Sequence, residues 1–330
     1  MSVLVTGGAG YIGSHMVHGL CDVKRDVVVI DNLSTGYKFL VPDNVPLRVG
    51  DIGDGALVKQ IIAEYNVHSV VHFAGSIIVP ESVTNPLYYY ENNTVKSRAL
   101  IAACVGAGIR NFLFSSTAAV YGIPESSPVN EVAPLAPISP YGSSKLMTEW
   151  MLRDTAVAHD FNYVALRYFN VAGADVLGRS GQASPDSTHL IKIASQAALG
   201  ERDGMQVFGK DYDTPDGTCI RDYIHVTDLI AAHIDALNYL QDGGKSDVFN
   251  CGYGRGFSVL EVISAVERAS GKAINVTDAP RRAGDPPELV ANAEKIHKTL
   301  GWMPRHENLN EIVASALSWE EKLTKLSTVT

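Results

Sequence analysis

Tyr141 and Lys145 stand four residues apart in Tyr141-Gly142-Ser143-Ser144-Lys145, directly after Pro140. On a helix, positions i and i+4 share a face, so a phenol and an ammonium at this spacing converge on one reacting group. A nearby positive charge lowers a phenol's pKa from about 10 toward a value useful to a base. Ser115-Ser116-Thr117 follows the apolar run Phe112-Leu113-Phe114, where a hydroxyl would project from the carboxyl edge of a sheet into the crevice that binds ligands. The chemistry these groups suit is general acid–base proton transfer. Each pattern also has a plain reading: Tyr and Lys fall four apart by chance, and a Ser/Thr cluster can simply cap the next element.

A second constellation opens the chain. Thr6-Gly7-Gly8-Ala9-Gly10-Tyr11-Ile12-Gly13 follows Val3-Leu4-Val5. Glycines 7, 10 and 13 (or 8, 10 and 13) give the spacing that lets a backbone turn tightly against a pyrophosphate at a helix N-terminus. Asp31 comes 18 residues after Gly13 at the end of Val27-Val28-Val29-Ile30. A carboxylate there can accept both ribose hydroxyls and would repel a 2′-phosphate. The next cation is Lys38, so the pattern favours NAD over NADP. The alternative for Asp31 is a turn cap shared with Asn32. Asp51-Ile52 after the third strand could hold adenine, and the small residues of Phe73-Ala74-Gly75 after the fourth would let a cofactor lie close.

The elements that must position these groups alternate. Short apolar runs at 3–5, 27–30, 47–49, 70–73, 112–114 and 163–168 are separated by helix-like stretches near 11–24, 54–65, 92–106 and 142–158. This order predicts an α/β fold: a doubly wound Rossmann-type parallel sheet covered on both faces. Beyond residue 170 the rhythm loosens into turn-rich loops at 173–186, 211–217 and 281–288, which suits a smaller C-terminal α/β lobe over the sheet. The division expected is a dinucleotide-binding domain at 1–172, with segments around 222–250 returning to it, and a lobe made mainly of 173–330.

Composition narrows the class. The 330 residues carry 36 acidic and 27 basic side chains, a formal charge of −9, which gives no footprint for a nucleic-acid binder. No run approaches the ~20 apolar residues that span a bilayer. Cys21, Cys104, Cys219 and Cys251 lie far apart with no CxxC spacing, and the chain opens straight into a strand. The expectation is a cytoplasmic protein with no metal site, no nucleic-acid partner and no membrane partner.

Taken together, the glycine turn, the hydroxyl cluster and Tyr-x-x-x-Lys resemble the short-chain dehydrogenase/reductase superfamily in its extended, sugar-nucleotide branch, and within it the UDP-glucose (UDP-galactose) 4-epimerase family. Later blocks carry the resemblance almost end to end: Glu81-Ser82-Val83, Leu166-Arg167-Tyr168-Phe169-Asn170, Asp216-Gly217-Thr218, Arg221-Asp222-Tyr223-Ile224-His225-Val226 and Arg281-Arg282-Ala283-Gly284-Asp285.

The resemblance implies tightly bound NAD and no net redox change. Tyr141 takes the proton from the sugar 4-hydroxyl while hydride leaves C4 for the nicotinamide. The 4-keto sugar then rotates and is reduced on its other face. Lys145 would tune the phenol and hold the nicotinamide ribose, and Thr117 would bond the 4-oxygen. The cofactor contacts implied are Gly7, Gly10, Tyr11, Ile12, Gly13, Asp31, Asn32, Asp51, Ile52, Phe73, Ala74, Gly75, Asn93, Ser115, Tyr141, Lys145 and Tyr168.

For the UDP-sugar, the resemblance implies Thr117, Tyr141, Asn170, His189, Leu190, Gln206, Phe208, Arg221, Arg282, Asp285 and Leu289. Arginine suits the diphosphate because its planar guanidinium offers several fixed donors. A homodimer is implied by the resemblance only.

Three positions depart from the family pattern. Ile77 stands where a lysine is frequent, and His189 stands where an asparagine is common. Leu289 occupies a place where a bulky aromatic goes with excluding N-acetylated sugars and a small residue with admitting them. UDP-glucose and UDP-galactose are favoured, with N-acetylated UDP-sugars as the alternative. Thr117 is followed by Ala118-Ala119, which cannot protonate a leaving hydroxyl and so argues against a dehydratase. An intact hydroxyl, phenol and ammonium argue against a non-catalytic NAD sensor. His225 reads as a structural histidine.

Overall fold

The computed structural model describes residues 1–184, 187–282 and 284–327. Pro185 and Asp186 of the 173–186 connection, and Ala283 of the 281–285 block, lie outside the described residues. Seven parallel strands form the main sheet: β1 (Ser2–Thr6), β2 (Val27–Asp31), β3 (Leu47–Val49), β4 (Val67–His72), β5 (Asn111–Thr117), β6 (Asn162–Tyr168) and, after three lobe strands, β10 (Asp247–Cys251). Their order is β10-β6-β5-β4-β1-β2-β3. The order reverses between β1 and β4, which is where a doubly wound sheet opens its ligand crevice.

Side chains alternate across this sheet. Val3, Val5 and Val29 face a core built with Met16, Leu20, Leu229 and Leu237, from α1 (Tyr11–Asp22) and α8 (Val226–Gln241). Leu4, Val28 and Ile30 face the opposite core, with Ile61 of α2 (Gly55–Glu64) and Leu100 of α5 (Lys96–Gly106). Both faces are covered, so the strands read as continuous apolar runs. Each fully buried aliphatic side chain contributes roughly 1.5–3 kcal/mol.

The stretch expected as one helix over 92–106 is divided. The short helices α3 (Val79–Thr84) and α4 (Pro86–Tyr89) lead into a wide π-helical turn, Tyr90–Val95, before α5 begins at Lys96. Such a turn inserts an extra residue and re-aims a side chain; here it buries Asn93. The fourth strand ends at His72, so Phe73-Ala74-Gly75 is the loop that follows it.

α6 (Pro140–Ala158) starts sharply. Ser139 caps it by accepting from Gly142 N at 3.2 Å, and Pro140 fills the first turn.

The remaining strands and helices build the lobe. β7 (Asn170–Ala172), β9 (Ile220–His225), β11 (Gly256–Ser258) and β13 (Glu288–Leu289) form one small sheet, and β8 (Met205–Phe208) pairs with β12 (Val276–Ala279). Helices α7 (Leu190–Leu199), α9 (Val259–Ser270) and α11 (Leu309–Ser327) pack on them around Ile191, Val262, Val266 and Ile312. α10 (Glu294–Leu300) packs against β10 and α8. Among the described residues, no helix is long and apolar enough to cross a membrane.

Candidate active site

The glycine turn sits at the sheet's switch point, and its geometry demands glycine. Gly7 has φ +69°, and a Cβ there would lie 2.6 Å from Ala74 N in the loop after β4. A Cβ on Gly13 would lie 2.1 Å from the Gly7 carbonyl. Gly10 is the N-cap of α1 and brings no side chain to its first N–H groups, whereas Gly8 is pressed against Val29. The reading through glycines 7, 10 and 13 is therefore the one that leaves an open, anion-receptive helix end. Ile12 packs against the main core.

Asp31 closes the other side of this turn. Its carboxylate accepts from Ala9 N at 2.9 Å and Leu33 N at 2.8 Å. Burial pushes its pKa up, and the two N–H groups pull against that rise. The turn-capping and ribose-binding readings are thus compatible, since each oxygen keeps a lone pair. Asn32 is exposed, accepts from Ser34 N at 3.0 Å, and also bonds Asp51.

Asp51 is more committed than its sequence position suggests. It accepts from Lys96 Nζ at 2.6 Å and Gly53 N at 2.8 Å, beside the buried Ile52. Burial raises the Asp51 pKa, but these donors outweigh it and hold the carboxyl below its usual range. The fold thus brings Lys96, from α5, to this end of the site.

Facing the turn, Phe73 lies 4.9 Å from the His233 ring, centroid to centroid. A Cβ on Gly75 would come 3.0 Å from Asn93 Oδ1 and 3.7 Å from Lys145 Nζ. Asn93 accepts from Ser76 N at 2.7 Å and donates to Ser76 O and Ser144 Oγ at 2.9 and 3.1 Å. Its amide holds the loop after β4 against α6. Tyr11 donates to Gly173 O at 2.6 Å, tying α1 to the connection that leaves the sheet.

The reacting groups meet at the carboxyl edge of β5. A side-chain hydrogen bond joins Tyr141 and Thr117. Lys145 Nζ donates to Ser115 O at 3.1 Å and lies 5.0 Å from the Phe114 ring centre. Ser115 and Tyr168 share a short hydroxyl hydrogen bond. The structure corrects one expectation here. Burial pushes the Tyr141 phenol above its ordinary value, opposed only by Thr117, and burial also lowers Lys145 to about 8. In this dry edge, loss of solvent outweighs the Thr117 hydrogen bond, and no pull from the ammonium lowers the phenol.

The substrate-side residues spread over the lobe. Asn170 bonds the Tyr223 hydroxyl. Both line a cavity of about 30 Å³ with Tyr11, His189, Leu190 and Lys192; Thr117, Tyr141 and Lys145 are not among its lining residues. His189 shares a 2.7 Å hydrogen bond with Ser187 Oγ through Nδ1, and burial beside Lys192 lowers its pKa to about 4. It is a neutral imidazole at pH 7.

Arg282 stacks over Phe208 at 4.1 Å, and Arg221 pairs with Asp285 at 3.3 Å. Leu289 is in register with Arg221 and packs beside Val120, Tyr121 and Phe169. Gln206 is exposed on β8 opposite Thr277, and Ile77 is exposed. His225 caps α8 by accepting from Thr227 N at 3.0 Å, the structural role expected of it.

Four residues escaped the sequence reading as parts of the site. Lys96 is joined to it by its ion pair with Asp51, and Tyr223 by its register opposite Asn170. Glu149 and Arg167 lie directly behind the hydroxyls, and Glu149 at least continues the Tyr141–Lys145 helical stripe by one more turn.

The site's parts agree with what the chain resembles. It is 59% identical to UDP-glucose 4-epimerase from Azospirillum brasilense over 97% of this chain and 92% of that one. It is 46% identical to the Lacticaseibacillus casei UDP-glucose 4-epimerase, covering 97% of each. The crystal structure of UDP-glucose 4-epimerase from Brucella ovis in complex with NAD superposes with a TM-score of 0.94 at 44% identity, over 96% of this chain and 97% of that one. Residues 3–252, from the first strand through the last strand of the main sheet, match the NAD dependent epimerase/dehydratase family, and the chain belongs to that family.

Proposed function

We propose that this protein is an NAD-dependent UDP-glucose 4-epimerase that interconverts UDP-galactose and UDP-glucose. The observation that carries the reading is the convergence of Thr117, Tyr141 and Lys145 at the edge of β5, next to a glycine turn whose uncapped helix N-terminus can receive a pyrophosphate. The relatives' NAD and UDP-glucose chemistry fits those parts. Asp31 favours NAD through its free lone pairs toward a ribose. Gly7, Gly10, Tyr11, Ile12 and Gly13 would hold the pyrophosphate, and Gly75 and Lys145 the nicotinamide end. When bound, NAD supplies reversible two-electron chemistry at the sugar C4, so no external oxidant is needed.

The chain's own groups do the rest. Tyr141 removes and returns the proton of the 4-hydroxyl, and Thr117 bonds the same oxygen and relays that proton. Lys145, with a pKa of about 8, is mostly charged at neutral pH and stabilises a phenolate when one forms. Asn170, Arg221 and Arg282 bind the diphosphate, while Leu190 and Phe208 line the uridine pocket. Placed with them are His189, Gln206, Asp285 and Leu289.

The division of labour inferred is a cofactor body of 1–172 to which the chain returns around 222–250, with the other residues binding sugar nucleotide. The pairing of β10 with β6 supports it. A homodimer is proposed with it. Exposed Val83, Leu87, Val95 and Trp150 give an apolar face to the packed elements α3, α4, the π-helical turn and α6. A cytoplasmic setting accords with four free cysteines.

Incubating purified protein with UDP-galactose tests the reaction. UDP-glucose should accumulate without added oxidant or reductant, and a protein that carries NAD yet leaves UDP-galactose unchanged would overturn the assignment. The same assay with UDP-N-acetylgalactosamine reads the selectivity at Leu289.

A further inference from the structure

Three consecutive residues of β5 receive three side chains from three turns of α6. Thr117 bonds Tyr141, Ser115 O accepts from Lys145, and Ser116 Oγ donates to Glu149 Oε1 at 2.5 Å. Tyr141, Lys145 and Glu149 are spaced i, i+4 and i+8, one stripe of a helix. Along a strand, successive side chains alternate faces, so Ser115 and Thr117 point one way and Ser116 the other. Glu149 therefore grips the strand from behind the reacting hydroxyls.

Its second partner is Arg167, directly opposite Ser116 in the β5–β6 register. Arg167 donates from Nε to Glu149 Oε1 at 3.0 Å and from Nη2 to Oε2 at 2.6 Å. Its Nη1 reaches Tyr121 OH at 3.0 Å and Glu131 O at 3.3 Å, and Tyr121 donates to Asn250 Oδ1 on β10 at 2.6 Å. Ser116, Glu149 and Arg167 are 0%, 4% and 3% exposed.

A forked, buried pair with every partner engaged fixes distance and angle together, which a single contact cannot do. The proposed chemistry assigns no contact to this pair, yet it joins the helix carrying the base to the strand carrying the hydroxyls. We infer that Glu149 and Arg167 are positioning residues that set the register of α6 on β5 and so hold Tyr141 and Lys145 against Thr117. The inference rests on the function proposed above.

Glu149→Gln alone strands a buried guanidinium and could fail to fold. The informative protein is therefore Glu149→Gln/Arg167→Met, which leaves no unpaired charge. In the NAD-loaded form, kcat with UDP-galactose should fall ~10²-fold, as a displacement near 1 Å costs. KM should stay within about threefold, because uniform binding is untouched. The thermal midpoint should remain near that of the wild type. A double variant with wild-type kcat, or one whose loss of activity only tracks loss of folded protein, would overturn the inference.

A readout independent of the sugar is the titration of the Tyr141 phenol, followed by ¹³C-tyrosine NMR through the resonance missing in Tyr141→Phe. The groups that act on this phenol are Thr117 from β5, which lowers its pKa, and Tyr168 from β6. Moving it off Thr117, whose hydroxyl pulls its pKa down, should raise its midpoint by about one pH unit. An unshifted midpoint tells against the positioning role whatever the substrate. A shifted midpoint in a protein whose wild type leaves UDP-galactose unchanged tells against the proposed function alone.

Discussion

The edge of β5 and the rim of the lobe solve the problem of holding polar side chains in different ways. At β5 the groups are buried, and the main chain, strand register and one helix fix them, as in Lys145 on Ser115 O. At the rim they are cationic and partly exposed, and the lobe's own acids and rings hold them. Arg281 stacks on Tyr212 at 4.2 Å and pairs with Asp211 at 2.7 Å, Lys210 pairs with Asp278 at 2.6 Å, and Arg282 lies on Phe208. Exposed pairs of this kind are worth little and are easily exchanged for a phosphate. The contrast teaches that the reacting edge is preorganised, while the rim keeps its charges on partners it can give up.

The sharpest way to break that contrast is Tyr141→Phe. With UDP-galactose, kcat should fall ~10²-fold or more, with KM changed by less than about threefold, in steady-state assays. Gly7→Ala comes next. Left-handed backbone costs a non-glycine residue about 1–2 kcal/mol before any clash with Ala74 N is counted, so NAD released from denatured protein should drop roughly tenfold. At the rim, Arg282→Ala should raise KM about tenfold, the worth of a lost charge-assisted hydrogen bond, with kcat and thermal midpoint near wild type. A rim variant that cut kcat as deeply as Tyr141→Phe would erase the distinction between the two regions.

The smallest effect separates the regions by acid. His72 is buried behind the reacting edge, bonded to Thr6 and Ser97, and burial holds its pKa at about 3. The unfolded chain binds its proton near pH 6.5. Stability from this group is therefore full above pH 6.5 and is lost as pH falls toward about 3, reaching about 2 kcal/mol at pH 5. His15, His225 and His233, held at about 4, 3 and 4, act in the same sense. Asp222, raised to about 6 by burial, works the other way between about 4 and 6. Thermal melts from pH 7 to 5 should fall in midpoint, and His72→Gln should flatten the slope.

Local spacing made part of this site legible. Glycines 7, 10 and 13 and the Tyr141–Lys145 pair declare themselves because one turn or one helical repeat brings each set together. The alternating apolar runs did the same for the parallel sheet, since strands covered on both faces have no polar side to show. What spacing could not reveal was the pairing that tertiary packing and strand register create. Lys96 reaches Asp51 from another helix, and Arg167 meets Ser116 only because β6 lies beside β5 in one alignment. The cost of burying Tyr141 was equally hidden, because desolvation belongs to the packed interior and not to the spacing of Tyr141 and Lys145.

β7, by which the chain first enters the lobe, and β9, which leads on to α8, lie side by side as a parallel hydrogen-bonded pair, from Asn170 opposite Tyr223 to Ala172 opposite His225. A lone strand between two masses can swivel about one or two soft torsions. A laced pair cannot, because rotating one leg shears its bonds to the other. The lobe is thus mounted on a leaf spring and not on a pivot. A twist of the lobe about this junction would have to break the bonds between β7 and β9, and the pairing opposes it.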